Sequence, residues 1–210
     1  MRKMKRVGAS LIAALAICAW SAPTAPSASF TSEGGVTHVE ASQSTENWLY
    51  LGGGYVPTRC EKVTLTGLMP SKTVPYIDFA ATYSGCSAIP PWGPPQRVEM
   101  NGCQYRIHAS GKVDLICPPG KDVRAETEFT RCYSTLPPQT ELSGVIFTSG
   151  SYLGKSDLLV DFDVTNIAYT RFGSCPENGL PATNGYWTGK MTMVARDAGS
   201  TAPVGITWSP

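Results

Sequence analysis

Two cysteines placed symmetrically about one glycine turn constrain this 210-residue chain more than any other feature. Cys103 to His108 and Lys112 to Cys117 flank the triplet Ala109-Ser110-Gly111. A three-residue hairpin loop usually ends in a left-handed residue, and glycine takes that conformation without a Cβ clash. With Gly111 in that place His108 stands opposite Lys112, and the same register carries Cys103 opposite Cys117. Directly opposed residues lie about 4.5–5.5 Å apart at Cα, inside the range that a disulfide spans. The spacing therefore predicts a β-hairpin closed by Cys103–Cys117.

Seven cysteines are present in all. Cys18 falls in an N-terminal segment with the grammar of a signal peptide. Arg2, Lys3, Lys5 and Arg6 form a cationic start, Val7 to Trp20 is apolar, and Ser21 to Ser29 is rich in small residues and proline. The apolar run is shorter than the roughly 20 residues that a membrane span needs. Leu15-Ala16-Ile17-Cys18 resembles a lipoprotein box, but Ile17 is large and β-branched where that box takes a small residue. Residues 1–28 therefore read as a signal peptide and 29–210 as one domain, secreted or held in the cell envelope. Six cysteines then remain, an even number, as three disulfides in an exported chain require. Cys60, Cys86, Cys132 and Cys175 allow three pairings. Short closures cost less entropy, which favours Cys60–Cys86 and Cys132–Cys175. Metal knuckles are not indicated: there is no C-x-x-C, and neither His38 nor His108 sits near a cysteine pair at zinc spacing.

Four of the 17 basic residues sit in the leader, which leaves 13 against 16 acidic residues and a net charge of about −3. A mildly acidic domain without a basic run is unsuited to nucleic acid, where phosphate neutralisation supplies most of the affinity. No cofactor motif occurs.

After residue 28 the pattern has period two. Val63–Thr66, Tyr76–Tyr83, Val160–Thr165, Lys190–Val194 and Val204–Trp208 alternate apolar with polar or small residues. Ten to twelve strands are expected, mostly antiparallel, in a sandwich or distorted barrel. Residues 30–46 look polar and irregular, with at most an edge strand at Val36–Val39. Ile89 to Pro95 holds four prolines around Trp92 and reads as a loop.

The chain carries Tyr83-Ser84-Gly85-Cys86, Met100-Asn101-Gly102-Cys103, Tyr105, His108, Gly111, Val113 to Pro118, Gly120, Pro137-Pro138-Gln139, Leu142-Ser143-Gly144-Val145 and Val204-Gly205-Ile206. In these stretches it resembles a group of small secreted actinobacterial proteins with many β-strands and no assigned function. The matching residues are disulfide cysteines, turn glycines and loop prolines. The resemblance thus implies fold and export and brings no site residue.

Candidate chemistry is sparse, and no catalytic residue is assigned. Asp114 falls opposite Arg106 and near His108, which reads as an Arg106–Asp114 ion pair beside a surface histidine rather than a hydrolase dyad. Gly150-Ser151-Tyr152-Leu153-Gly154 has its serine in the wrong place for a nucleophile elbow. Asp161 and Asp163, with Asp157 nearby, read as the wet face of a strand, and Glu126 is the remaining carboxylate of interest. Trp48 and Tyr50 share one strand face, and Trp92 is framed by prolines. These three are the candidate ligand contacts, although Trp48 and Tyr50 would equally suit a core. The reading that best fits is non-catalytic surface recognition of an extracellular glycan or cell-wall component. The alternatives are a secreted hydrolase with a carboxylate or His/Asp site, and a structural surface protein.

The leader reading has a direct test. Intact mass of the exported protein should place its N-terminus between residues 26 and 31, without acyl chains; a lipidated Cys18 at the N-terminus would contradict it.

Overall fold

The computed structural model describes residues 27–51, 57–88, 93–175, 178–200 and 202–210. Residues 1–26, most of the segment 1–28 that reads as a signal peptide, lie outside that set. Every regular element in it is a strand, and 17 are present. None of the described residues belongs to a helix long and apolar enough to cross a membrane.

In chain order the first strands are β1 (Ser29–Ser32), β2 (Thr37–Gln43), β3 (Asn47–Tyr50), β4 (Thr58–Met69), β5 (Thr73–Val74) and β6 (Tyr76–Ser87). The middle of the chain gives β7 (Gln96–Glu99), β8 (Gln104–His108), β9 (Lys112–Ile116), β10 (Val123–Thr127), β11 (Cys132–Leu136) and β12 (Gln139–Ser143). Last come β13 (Val145–Tyr152), β14 (Lys155–Gly173), β15 (Pro181–Asp197), β16 (Pro203–Val204) and β17 (Ile206–Ser209). All pairings are antiparallel. The main sheet runs β12-β9-β8-β6-β4-β2-β15-β14-β11-β10-β7, with β3, β13 and β16 paired beside that path.

This sheet bends back on itself. At one side a bridge between Ser87 and Pro95 ties the end of β6 to the approach to β7. At the other side Gln139 of β12 grips Ala168 of β14. Its Oε1 accepts from the Ala168 N–H at 2.8 Å, and its Nε2 donates to the Ala168 carbonyl at 3.2 Å. Asp163 then donates its N–H to the Gly144 carbonyl at 2.7 Å. The result is a distorted barrel, all-β and antiparallel, as the alternation predicts. The separate β17-β1-β5 sheet covers one opening: Phe30 lies edge-on to Phe147 at 5.0 Å, and Trp208 lies 5.7 Å from the same ring.

Alternation places Phe79, Leu65, Ile77, Ile107, Leu158, Phe162, Met191 and Met193 on the inner faces, all fully buried. Burying such a side chain contributes about 1.5–3 kcal/mol. Phe162 stacks on Trp187 at 4.3 Å. Between the walls remains a cavity of about 40 Å³, lined by Leu49, Val63, Val113, Leu115, Val164 and Trp187 among others. Tyr83 and Tyr105 share a hydroxyl hydrogen bond of 2.9 Å at its wall. That space is enough for water and far below the several hundred Å³ of a ligand pocket.

Three local expectations change. Residues 37–43 form β2, a central strand between β4 and β15, not an irregular stretch with an edge strand. Thr37, Val39 and Ala41 are its buried row. Two of them are small or hydroxylated, so the run looks polar although its inner face is closed. The closing strand is broken at Gly205, where a Cβ would sit 2.6 Å from the Glu33 carboxylate. The chain therefore changes sheet there, from β16 to β17. Seventeen strands replace the expected ten to twelve, because several are only two to four residues long.

The hairpin is as its register requires. Arg106 faces Asp114, Ile107 faces Val113, and Gly111 has φ of 82°. A Cβ at Gly111 would also meet the Val145 carbonyl at 2.7 Å. The three disulfides are Cys60–Cys86, Cys103–Cys117 and Cys132–Cys175. Cys103 and Cys117 are 14 residues apart, so their bond contributes about 3 kcal/mol by loop entropy, against a typical total of about 5–15 kcal/mol. The double variant Cys103→Ala/Cys117→Ala should fold and melt several degrees lower in a calorimetric scan, because Gly111 and the β8–β9 ladder hold the register without it. Loss of the fold would show that the disulfide, not the ladder, sets the register.

Candidate functional site

The register places four connections at one end of the barrel. β14 ends at Gly173, which faces Cys132 at the start of β11, and β10 ends at Thr127, which faces Gln96 at the start of β7. β3 runs toward the same end, since Tyr50 faces Tyr186 near the start of β15. The described ends of β3, β6, β10 and β14 and the starts of β4, β7, β11 and β15 therefore gather there, opposite the opening covered by β1, β5 and β17.

A cleft of about 330 Å³ opens among these connections. That is at the lower bound of small-ligand sites, which favour the mouths of β-barrels. Its apolar wall includes Leu51, Ala88, Pro94, Ala125 and Tyr133. Its polar wall is made of small hydroxyl and amide side chains: Thr58, Gln96, Thr127, Thr130, Ser134 and Ser174. Arg171 is the one charged residue among the described lining. It is only 2% exposed, and its guanidinium donates to the Leu51 carbonyl. The Gln96 Nε2 donates to Thr127 Oγ1 at 3.1 Å, whereas the Gln96 Oε1 is enclosed and has no donor. Leaving a buried acceptor unmade costs about 1–3 kcal/mol. No described lining residue is a carboxylate or an imidazole, and Cys132 is tied up with Cys175.

The rim carries exposed apolar side chains. Phe129, in the turn that brings Thr130 to the cleft, is 88% exposed and has φ of 69°. A bulky residue in the left-handed region is an outlier, with a cost of about 1–3 kcal/mol. Exposure and strain thus coincide at one ring. Leu180, in the β14–β15 connection, is 62% exposed. Sequence reasoning missed Phe129. The signal available was Glu128-Phe129-Thr130-Arg131, an aromatic residue inside a tight turn where polar residues are the rule.

Trp48 and Tyr50 do not face the core. β3 turns Asn47 and Leu49 inward to the central cavity, so Trp48 and Tyr50 stand on the outer face. There they join Tyr186. Tyr50 stacks on Tyr186 at 4.1 Å, Trp48 lies 6.1 Å from Tyr50, and Arg59 covers Trp48 at 5.9 Å while pairing with Glu46. Rings stacked on one another hide their faces. Only the outer ring of this row, Tyr186 at 37% exposed, has a face to offer. Trp92 lies outside the described residues; the flanking Ala88 and Pro94 both line the cleft.

The His108–Asp114 pair is at a different place on the barrel wall and differs from expectation. Arg106 does not pair with Asp114. It makes a two-bond clasp on Asp78 at 2.7 and 2.9 Å, because β6 brings Asp78 opposite Arg106 on its other side. Tyr76 lies against the same guanidinium at 4.0 Å. Asp114 is buried. It accepts from the Glu141 N–H at 2.7 Å and lies 2.9 Å from the His108 Nε2. Glu141 sits at a bulge with φ of 62° and pairs with Lys112. His108 is therefore a half-buried partner of Asp114, not a free surface residue. Among the described residues no hydroxyl or thiol is hydrogen-bonded to His108.

The other carboxylates do not join it. Asp161 pairs with Lys190 at 2.7 Å, Asp163 is exposed, and Glu126 pairs with Arg124 at 3.1 Å. Asp157 is buried, and its Oδ1 has no partner. Among the described residues no three His, Cys, Asp or Glu side chains are grouped to hold a metal ion. Scans of protein-family models, curated proteins and solved structures give no match to this chain.

Burial pushes the Asp114 carboxyl up, but the Glu141 N–H, the His108 ring and the Arg106 charge outweigh it and hold it below the usual carboxylate range. A carboxyl lowered in the folded state stabilises above its unfolded pKa, and that contribution is lost as pH falls through the folded one. Asp114→Asn should therefore lower the melting temperature at neutral pH and narrow its gap to the parent chain in acid. An equal gap at every pH would remove the ionised Asp114 from the account.

Proposed function

We propose that this chain is a secreted or cell-envelope recognition domain, non-catalytic, which takes a segment of an extracellular glycan or cell-wall component in the cleft at its loop end. The observation that carries the reading is the coincidence of a cleft walled by small hydroxyl and amide side chains with the exposed, strained Phe129 in the turn beside it. A sugar hydroxyl both donates and accepts, as such a wall requires. The small hydroxyls of Thr58, Thr127, Thr130, Ser134 and Ser174 offer further exchange of hydrogen bonds. An aromatic ring packs on the apolar face of a sugar, a use that accounts for a phenylalanine held in water at the cost of backbone strain. The three disulfides suit an oxidising compartment, and the leader read from residues 1–28 supplies the route there.

A hydrolase has one observation in its favour, the His108–Asp114 pair beside the strained Glu141. Among the described residues no nucleophile contacts His108, and the pair lies apart from the cleft, so recognition is preferred. A structural surface protein would have no use for the cleft.

The test is binding of the purified protein to peptidoglycan and to neutral cell-wall polysaccharide. Phe129→Gly relieves the left-handed strain, so its melting temperature should stay level or rise while binding weakens about tenfold, the range of an interface anchor. Trp92→Ala should act in the same direction, with a stability change within about 0.5 kcal/mol. Unchanged binding in both variants would place recognition elsewhere; a large loss of stability in Trp92→Ala would make that residue part of the core.

A further inference from the structure

Among the described residues β13 pairs with β14 alone, which leaves its second edge open. The direction of its main-chain groups follows from the turn. Leu153 and Gly154 have φ of 51° and 76°, the two positive values of a type I′ hairpin. In such a turn the flanking pair, Tyr152 and Lys155, exchanges both hydrogen bonds. Even-numbered residues of β13 are then bonded to β14, and odd-numbered ones turn their N–H and C=O outward. Val145 agrees, since its N–H leaves the ladder to reach the Gly111 carbonyl at 3.1 Å. Among the described residues nothing takes the outward groups of Phe147, Ser149 and Ser151.

Natural edges are guarded by charge, proline or cover. Val145-Ile-Phe-Thr-Ser-Gly-Ser-Tyr152 has neither a charge nor a proline. The outer side chains here are apolar as well: Ile146 is 64% exposed, and Tyr152 and Leu153 stand out beside it. Lys155, beyond the turn, is held by Glu33 at 2.8 Å; across the ladder Asp161, opposite Ile146, is paired with Lys190, and Asp157, opposite Gly150, is buried.

We propose that this edge pairs with the same edge of a second copy, antiparallel, about a twofold axis through Ser149. One register satisfies every constraint. Outer side chains must meet outer side chains, which limits the axis to a residue position rather than a point between two residues. The outward groups available are those of Phe147, Ser149 and Ser151, which centres it on Ser149. Ser149 then bonds its own copy, and Phe147 bonds Ser151 twice over. On the outer face Ile146 packs on Tyr152, an aromatic to β-branched pair that favours strand pairing, and Thr148 meets Gly150. No like charges oppose each other within the paired strands. The joined sheets leave both loop-end clefts open, at opposite ends of the dimer. The contact is small, so association lies in the micromolar range.

Sedimentation velocity on the purified chain tests this. The mass should rise toward twice that of the monomer as concentration increases through that range. Ser149→Pro removes only an outward N–H and should be monomeric. Ser149→Lys leaves the backbone unchanged, puts two cations at the axis, and should be monomeric at low salt with partial recovery at high salt. Both should keep the far-ultraviolet spectrum of the parent. A parent chain that stays monomeric throughout, or two folded variants that still dimerise, would overturn the proposal.

Discussion

The β14–β15 ladder is the interaction on which the rest of the molecule depends. These are the longest strands, 19 and 17 residues, and they pair from Leu158 with Met193 to Thr170 with Pro181. β14 also carries β13 on one stretch and β11 on another, while β15 carries β2, β3 and β16. Seen from the core, the same ladder sets Phe162 on Trp187. Its length is sustained by bulges at Asn166 and near Ile167, where the register shifts and Asn166 takes φ of 62°. Those irregularities add local twist, and twist lets β12 reach Ala168 through Gln139 and close the sheet.

Closure divides the barrel chemically. At one opening Phe30, Phe147, Ile206 and Trp208 pack into a continuous apolar cover. At the other the strands end in connections that share small hydroxyls, an enclosed arginine and an exposed phenylalanine. Loops positioned by a rigid scaffold are where recognition concentrates. The Cys60–Cys86 and Cys132–Cys175 bonds both lie toward that end, with Cys132 and Cys175 at the roots of the β10–β11 and β14–β15 connections. The first staples paired residues of the β4–β6 ladder, and the second ties the roots of two connections together.

The hairpin was fully legible, because Gly111, the loop length and the two cysteines answer to one register. The buried row of β2 was not. Thr37 and Ala41 are poor hydrophobic signals, and their burial is decided by β4 and β15, which are remote in sequence. The Arg106 partner is hidden for a related reason: local pairing names Asp114, but β6 brings Asp78 to the other side of β8. Alternation puts Trp48 and Tyr50 on one face, and only the placement of Leu49 and Asn47 in the cavity shows that this face is the outer one. Phe129 stands among polar residues in the sequence, which marks it weakly; its strain and exposure exist only once β10 and β11 are closed.

Native-state hydrogen exchange with and without added cell-wall polysaccharide tests the link between scaffold and recognition most directly. Amides of Leu158–Tyr169 and Tyr186–Met193 should exchange only through global unfolding, and those of the β10–β11 and β14–β15 connections should exchange fastest. Polysaccharide should protect Thr127, Thr130 and Ser174 and leave β8 and β9 unchanged. Protection centred on His108 and Asp114 instead, or a β14–β15 ladder that opens before the rest of the barrel, would contradict the account.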